Sequence, residues 1–65
     1  MPARIRTRIV DGDTDEHGEY REIPIGTIGT VADFDGEFYD ITWENGAWTR
    51  WTPDEVLADA DILED

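Results

Sequence analysis

The chain has 65 residues, of which 17 are Asp or Glu and five are Arg, and its formal net charge at pH 7 is −12. A chain of this length forms one small domain with a thin core, here over residues 1–65, and its lack of cysteine excludes disulfides and thiolate-bound zinc. The charge argues against direct contact with nucleic acids or anionic membranes, and no stretch approaches the roughly 20 apolar residues of a membrane helix, so we expect a cytoplasmic protein.

The first predicted strand is RIRTRIV, over residues 4–10. Its strict alternation predicts two faces of different character. One face carries Arg4, Arg6 and Arg8, and the other carries Ile5, Thr7 and Ile9.

The acidic segment DGDTDEHGEY follows, and it has the spacing of a calcium-binding EF-hand loop. The residues at ligand positions 1, 3, 5 and 12 are Asp11, Asp13, Asp15 and Glu22. However, Glu16 stands where such a loop needs glycine, and no helix is predicted on either side. We therefore interpret the segment as a long exposed connection, with these four carboxylates as a calcium candidate only, and predict neither a metal site nor a cofactor.

His17, the only histidine, lies in the same segment. A histidine can act as a general base or a metal ligand because it titrates near neutral pH. In an exposed acidic loop we expect it to be solvated.

The next two predicted strands are TIGTVAD and EFYDITWE. Ile28 and Val31 can both point inward only if the first of them kinks, and Gly29 is suited to that kink. The second strand places Tyr39, Ile41 and Trp43 on one face. A three-residue loop of Phe34, Asp35 and Gly36 would set Val31 opposite Tyr39, whereas a two-residue loop would set it opposite Asp40, and we favour the first.

Asn45-Gly46 is the strongest hairpin signal in the chain, because both residues tolerate the positive φ of a two-residue type I′ turn. That turn would place Trp43 opposite Trp48 and would point Trp51 outward. The alternative is a bulge near Thr49 that returns Trp51 to the core. The sequence leaves both possibilities open.

A helical turn and a closing strand complete the chain. Thr52 is the predicted N-cap of the helix, with Pro53 in its first position and Glu55 completing a capping box. The segment DADIL is the predicted last strand. If the two ends of the chain pair as strands, the arginines of the first strand meet an acidic tail that contains Asp59, Asp61, Glu64 and Asp65.

The order of these elements resembles that of an SH3-like small barrel. The resemblance is carried by PIGTIGTVADFDGEFYDITWENG, in which Gly26-x-x-Gly29-x-Val31 is similar to the KOW motif and to several bacterial, archaeal and phage SH3-like domains. The predicted fold is therefore mainly β: a five-stranded SH3-like barrel with a long acidic loop after the first strand and one helical turn before the last. The resemblance implies no single function, since SH3-like barrels bind peptides, nucleic acids or ribosomal proteins, or merely decorate larger assemblies.

Two departures bear on function. The loops are acidic where RNA-binding KOW domains carry Lys and Arg, and the ALYDY-type signature of peptide-binding SH3 domains is missing. Their groove geometry would nevertheless place aromatic side chains beside the acidic loop. The predicted partner-binding residues are Tyr20, Trp43, Trp48, Arg50, Trp51, Asp13, Asp15 and Glu16.

The three tryptophans admit two interpretations. Trp43 and Trp48 form the floor of the core, or at least one tryptophan, namely Trp51, is an exposed contact anchor beside Arg50. Tryptophan and arginine are frequent hot spots of protein interfaces.

With neither serine nor cysteine as a nucleophile, we expect no enzyme. The predicted function is binding of a protein partner, a basic one, through the acidic surface and the Trp-rich hairpin. One alternative is an acidic mimic of nucleic acid that inhibits a DNA- or RNA-binding protein. Another is an accessory domain of a salt-adapted organism without an acidic binding face.

Overall fold

The computed structural model describes residues 2–14 and 17–65. In chain order its elements are β1 (Arg4–Thr7), β2 (Asp11–Thr14), β3 (Tyr20–Ile23), β4 (Ile28–Phe34), β5 (Tyr39–Trp43), β6 (Trp48–Trp51), α1 (Pro53–Asp59) and β7 (Ala60–Glu64). The predicted mainly β class is confirmed. Within the described residues, no helix has the length and apolar character needed to cross a membrane.

The strands form two antiparallel sheets. The larger has the order β6-β5-β4-β1-β7, and β2 and β3 form a separate two-stranded sheet. In the part of the chain that the structure describes, the sheets do not close into a barrel, which corrects the predicted closed architecture.

The acidic connection is also different from its prediction, because much of it is a β-hairpin. Asp11 pairs with Ile23 and Thr14 with Tyr20, so four consecutive residues of β2 match four of β3. The hairpin is anchored at one end by Ile23, which is fully buried. These two strands were not predicted because the segment is rich in carboxylates, whose low β-propensity favours a loop.

One face of the large sheet, the hairpin and the helix together enclose the core. Its buried apolar residues are Ile5, Ile23, Val31, Ile41, Trp43, Ala47, Trp51, Val56 and Ala60. The predicted alternation is confirmed for Ile5 and Thr7, which are buried beside exposed Arg6. Ile9 lies beyond the end of β1 and is exposed.

Gly29 serves a purpose other than the predicted kink. It faces the core together with Val31, at the normal two-residue spacing of a strand, whereas Ile28 belongs to the other face. A Cβ at Gly29 would lie only 2.7 Å from Cγ2 of Ile41 and 2.8 Å from Cε3 of Trp43. Glycine is needed here because these two large side chains pack directly against the backbone of β4.

Both predicted registers between β4 and β5 are wrong. Val31 pairs with Ile41, and Phe34 pairs with Tyr39 after a register shift between Val31 and Asp33. The turn contains the four residues Asp35 to Phe38. Its geometry is stabilised by Oδ1 of Asp35, which accepts hydrogen bonds from the backbone N–H groups of Glu37 at 2.8 Å and Phe38 at 2.7 Å.

The turn between β5 and β6 has three residues instead of two. The N–H of Gly46 donates to the carbonyl of Trp43 at 3.0 Å, and the N–H of Trp43 donates to the carbonyl of Ala47 at 2.8 Å. Only Gly46 needs a positive φ, of 91°, and Asn45 does not adopt one. The turn thus combines a tight turn with a glycine bulge, a standard three-residue hairpin.

The extra turn residue decides between the two predicted orientations of Trp51, outward or into the core. Trp48 pairs with Thr42 and Trp51 pairs with Tyr39. Thr49 and Trp51 therefore face the core, and Trp48 and Arg50 face outward. The correcting bulge is at Gly46, three residues earlier than the sequence suggested.

The predicted helix start is confirmed in detail. The Thr52 hydroxyl accepts from the N–H of Glu55, and the Glu55 carboxylate accepts from the N–H of Thr52. At the other end, the guanidinium of Arg8 donates to the carbonyls of Leu57 at 3.2 Å and Ala58 at 2.8 Å. Because these carbonyls carry the negative end of the helix dipole, a cation from β1 is favourable there.

Replacing Thr52 by alanine should lower the free energy of unfolding by about 1 kcal/mol, since it removes the hydroxyl that accepts from the N–H of Glu55. The measurement is urea denaturation followed by circular dichroism. Leu57→Ala is the control, because Leu57 lies in the same helix and is largely exposed. An equal loss of stability in both variants would contradict a specific role for the cap.

Candidate functional site

The three tryptophans occupy two different environments. Trp43 and Trp51 are 2% and 4% exposed, and their ring centroids lie 5.3 Å apart in the core. Each indole N–H is satisfied: Trp43 donates to Oγ1 of Thr49 at 2.8 Å, and Trp51 to Oδ2 of Asp11 at 3.0 Å. The proposal of Trp51 as an exposed anchor is therefore wrong.

Trp48 is the exposed tryptophan, with 46% of its surface accessible. Starting from Trp48, directly paired residues of neighbouring strands form a row across the outer face of the large sheet. This outer row consists of Trp48, Thr42, Thr30, Arg4 and Glu64. The residues that follow the indole in this row are the two threonines, and the row ends in the ion pair of Arg4 with Glu64 at 3.8 Å.

Carboxylates lie on both sides of this outer row. Asp33 pairs with Asp40 in the β4–β5 register, and Glu44 directly follows β5. Neither Asp33 nor Glu44 forms an ion pair within the residues that the structure describes. Both are exposed, and Asp33 lies on β4, two strands away from the strand that carries Trp48.

Arg50, predicted to contact a partner, is already engaged within the fold. Its guanidinium donates to Asp40 at 3.1 Å, forms a short contact with Asp35 and lies 5.3 Å from the ring centroid of Phe38. This set of contacts connects β6 to the β4–β5 turn. We therefore assign Arg50 to the support of that turn.

The pKa of Asp35 is lowered from its ordinary value of 3.8, chiefly because its carboxylate accepts the N–H groups of Phe38 and Glu37, with a further contribution from Arg50. A carboxyl group whose pKa is lower in the folded state stabilises the fold above its unfolded pKa, and this contribution is lost as the pH falls through the folded pKa. We expect Asp35→Asn to show a smaller loss of stability than the native protein between about pH 5 and about pH 2. Urea denaturation of both proteins across this range measures it, and parallel curves would contradict the assignment.

The remaining predicted site residues belong to the β2–β3 hairpin. Tyr20 is 68% exposed and lies over Gly12 of the neighbouring strand, in a different sheet from Trp48. Asp13 is exposed, whereas Asp15 and Glu16 lie outside the described residues. The structure thus does not assemble the predicted groove of four aromatic side chains.

The calcium candidate is not assembled either. Glu22 pairs with Gly12, so its side chain is on the opposite face of the hairpin from Asp11 and Asp13. One oxygen of Asp11 is occupied by Trp51. Among residues 2–14 and 17–65, no three histidine or acidic side chains are grouped so that they could hold a metal ion. His17 is exposed.

A shallow depression beside the β5–β6 turn was not among the features predicted from the sequence. It lies between the β3–β4 connection, residues 24–27, and the side chains of Glu22, Glu44 and Asn45. The amide of Asn45 connects the two sides by donating to the carbonyl of Glu22. An available signal was Ile25, an apolar residue between Pro24 and Gly26 that is 65% exposed.

Comparison of the chain with known protein families, curated proteins and solved structures found no match.

Proposed function

We propose that this chain is a non-enzymatic binding module that engages a basic protein partner through the outer face of its large sheet. The observation that carries the proposal is the exposure of Trp48 on a paired strand, while the other two tryptophans are buried. A core this small gains from each tryptophan that it encloses, so an exposed one next to two buried ones calls for a reason other than stability.

The surroundings of Trp48 favour a cationic side chain as its contact. An indole face attracts Lys or Arg, by about 0.5–1 kcal/mol at exposed sites. The carboxylates of Asp33 and Glu44, which form no ion pair within residues 2–14 and 17–65, provide negative charge on the same face. The net charge of −12 would in addition accelerate the approach of a basic protein and repel an acidic one.

An SH3-like architecture is part of the proposal. Five strands in one sheet, an acidic segment inserted after the first and a short helix before the last support it. Binding in place of catalysis is supported by the lack of serine and cysteine in the chain. We place the protein in the cytoplasm, a reducing compartment compatible with a sequence free of cysteine.

The test is affinity capture from a lysate of the source organism, with bound proteins identified by mass spectrometry. The baits are the native chain, Trp48→Ala and, as a matched control, Leu57→Ala, which removes an exposed apolar side chain from α1. We expect a basic protein on the native and Leu57→Ala baits and its loss from Trp48→Ala. Equal capture by all three would exclude Trp48 as the contact.

A parallel sample with excess DNA distinguishes the mimic of nucleic acid. A partner held by the tryptophan should remain bound, because DNA cannot replace an indole contact. A nucleic-acid-binding partner that DNA displaces would overturn the proposal in favour of charge imitation.

A further inference from the structure

Strand β7 is at one end of the large sheet and pairs only with β1. On its other side, the described part of the chain supplies no strand. An edge strand of this kind presents backbone N–H and C=O groups that no neighbouring strand pairs. At the far end of the sheet, β6 is in contact with the β2–β3 hairpin through Trp51 and Asp11, so the two edges are not equivalent.

The edge of β7 is strongly acidic. The carboxylates in and beside it are Asp59, Asp61, Glu64 and Asp65. Arg8 lies 3.5 Å from Asp61, and Arg4 lies 3.8 Å from Glu64, but both ion pairs are exposed, and such pairs are weak and readily exchanged. A second copy of β7 placed alongside would bring two equal sets of carboxylates together, which is unfavourable. A cationic segment would instead be attracted by these carboxylates.

Apolar surface is available at the same edge. Ile62 is opposite the buried Ile5 but remains 42% exposed, and the neighbouring Leu63 is 37% exposed. An added strand would cover Ile62 and extend the apolar face of the sheet by one strand. The edge therefore combines unpaired backbone groups, negative charge and partly covered apolar side chains.

We propose that the free edge of β7 binds an extended segment of a partner protein as an added strand, in which apolar residues alternate with Lys or Arg. Backbone hydrogen bonds would supply affinity, and the alternating side chains would supply selectivity. β7 has five residues, so the paired segment would be of similar length, about 17 Å at roughly 3.4 Å per residue. This surface and Trp48 are at opposite ends of the sheet, so the inference goes beyond the proposed function.

The probe is the synthetic peptide KVKIKVK, blocked at both ends and titrated into the ¹⁵N-labelled full chain. We expect slower hydrogen exchange of amides in β7 and unchanged exchange in β6. Two further peptides carry N-methyl groups on the odd or on the even residues. Because alternate amides of an added strand face its neighbour, one of these peptides should bind at least tenfold more weakly and the other nearly as well as the parent. Equal affinities, or protection of β6 instead, would overturn the proposal.

Two double variants with the same change in net charge separate the edge from general charge attraction. Asp61→Asn with Asp65→Asn should weaken binding of the parent peptide severalfold, and Glu37→Gln with Asp54→Asn should change it less than twofold. Trp48→Ala should bind the peptide as the native chain does, which keeps this result separate from the fate of the proposed function. Equal weakening by both double variants would overturn the proposal, as would concentration-dependent protection of β7 without peptide, which would assign the edge to a second copy of the chain.

Discussion

Replacing Trp51 by alanine should lower the free energy of unfolding by about 3–5 kcal/mol, whereas Trp48→Ala should lower it by about 1 kcal/mol or less. Trp51 is 4% exposed, packs against Trp43 and donates its indole N–H to Asp11. The substitution therefore leaves a cavity and removes the hydrogen bond to the Asp11 carboxylate. Trp48 is half exposed and points away from the core. Urea denaturation followed by circular dichroism measures both.

The same pair of variants tests the register of the β5–β6 hairpin. A two-residue Asn45-Gly46 turn would exchange the positions of the two tryptophans, and the order of the two effects would then be reversed. Because small domains have only about 5–15 kcal/mol of stability, Trp51→Ala could fail to fold. Trp51→Phe then provides the comparison, since it keeps most of the packing and loses the hydrogen bond to Asp11, and it should still destabilise more than Trp48→Phe.

Replacing Gly29 by alanine should destabilise the fold by about 1–3 kcal/mol, although alanine is only one methyl group larger. The added Cβ would overlap with Ile41 and Trp43, at 2.7 and 2.8 Å, and both side chains are held by the surrounding core. Thermal unfolding compared with the native chain measures the effect.

Gly12→Ala is the matched control for Gly29→Ala. There the atoms nearest to the added Cβ belong to the side chain of Tyr20, which is largely exposed and can rotate away. We expect a change within about 0.5 kcal/mol. If Gly29→Ala were as mild as Gly12→Ala, the close packing of the core against β4 would be contradicted.

The features that were predicted correctly from the sequence depend on contacts between residues close together in the chain. The capping box of α1 and the alternation of β1 each involve contacts within a few positions, and residue types alone define them. The pairing of β1 with β7 joins residues far apart in the chain, and the sequence analysis used it only as a condition for ion pairs between the arginines and the acidic tail. Two of these ion pairs, Arg4 with Glu64 and Arg8 with Asp61, are present.

Two of the incorrect predictions concern how many residues a turn contains. At Asn45-Gly46, the dipeptide allows a two-residue turn, but the three-residue alternative places both Thr49 and Trp51 in the core. At the β4–β5 turn, the Asp35 carboxylate binds two backbone N–H groups and thereby stabilises a longer loop. At Asn45-Gly46 the packing of the core outweighs the local preference of the dipeptide, whereas at the β4–β5 turn a nearby carboxylate favours the longer loop. In both places a change of one residue reverses the face of every side chain that follows.

The candidate site was only partly predictable for the same reason. Trp48 was in the predicted set, but its exposure depends on a register that only the core packing determines. The free edge of β7 could not be inferred from its composition, since the order of strands in a sheet is a property of the complete fold.

The separation of the tryptophans also has a spectroscopic consequence. Acrylamide, a neutral quencher that the charge of −12 does not repel, should reach the indole of Trp48 readily and those of Trp43 and Trp51 only after unfolding. Without any label, the quenchable part of the emission therefore reports on contacts at the outer face, and the protected part reports on the integrity of the core.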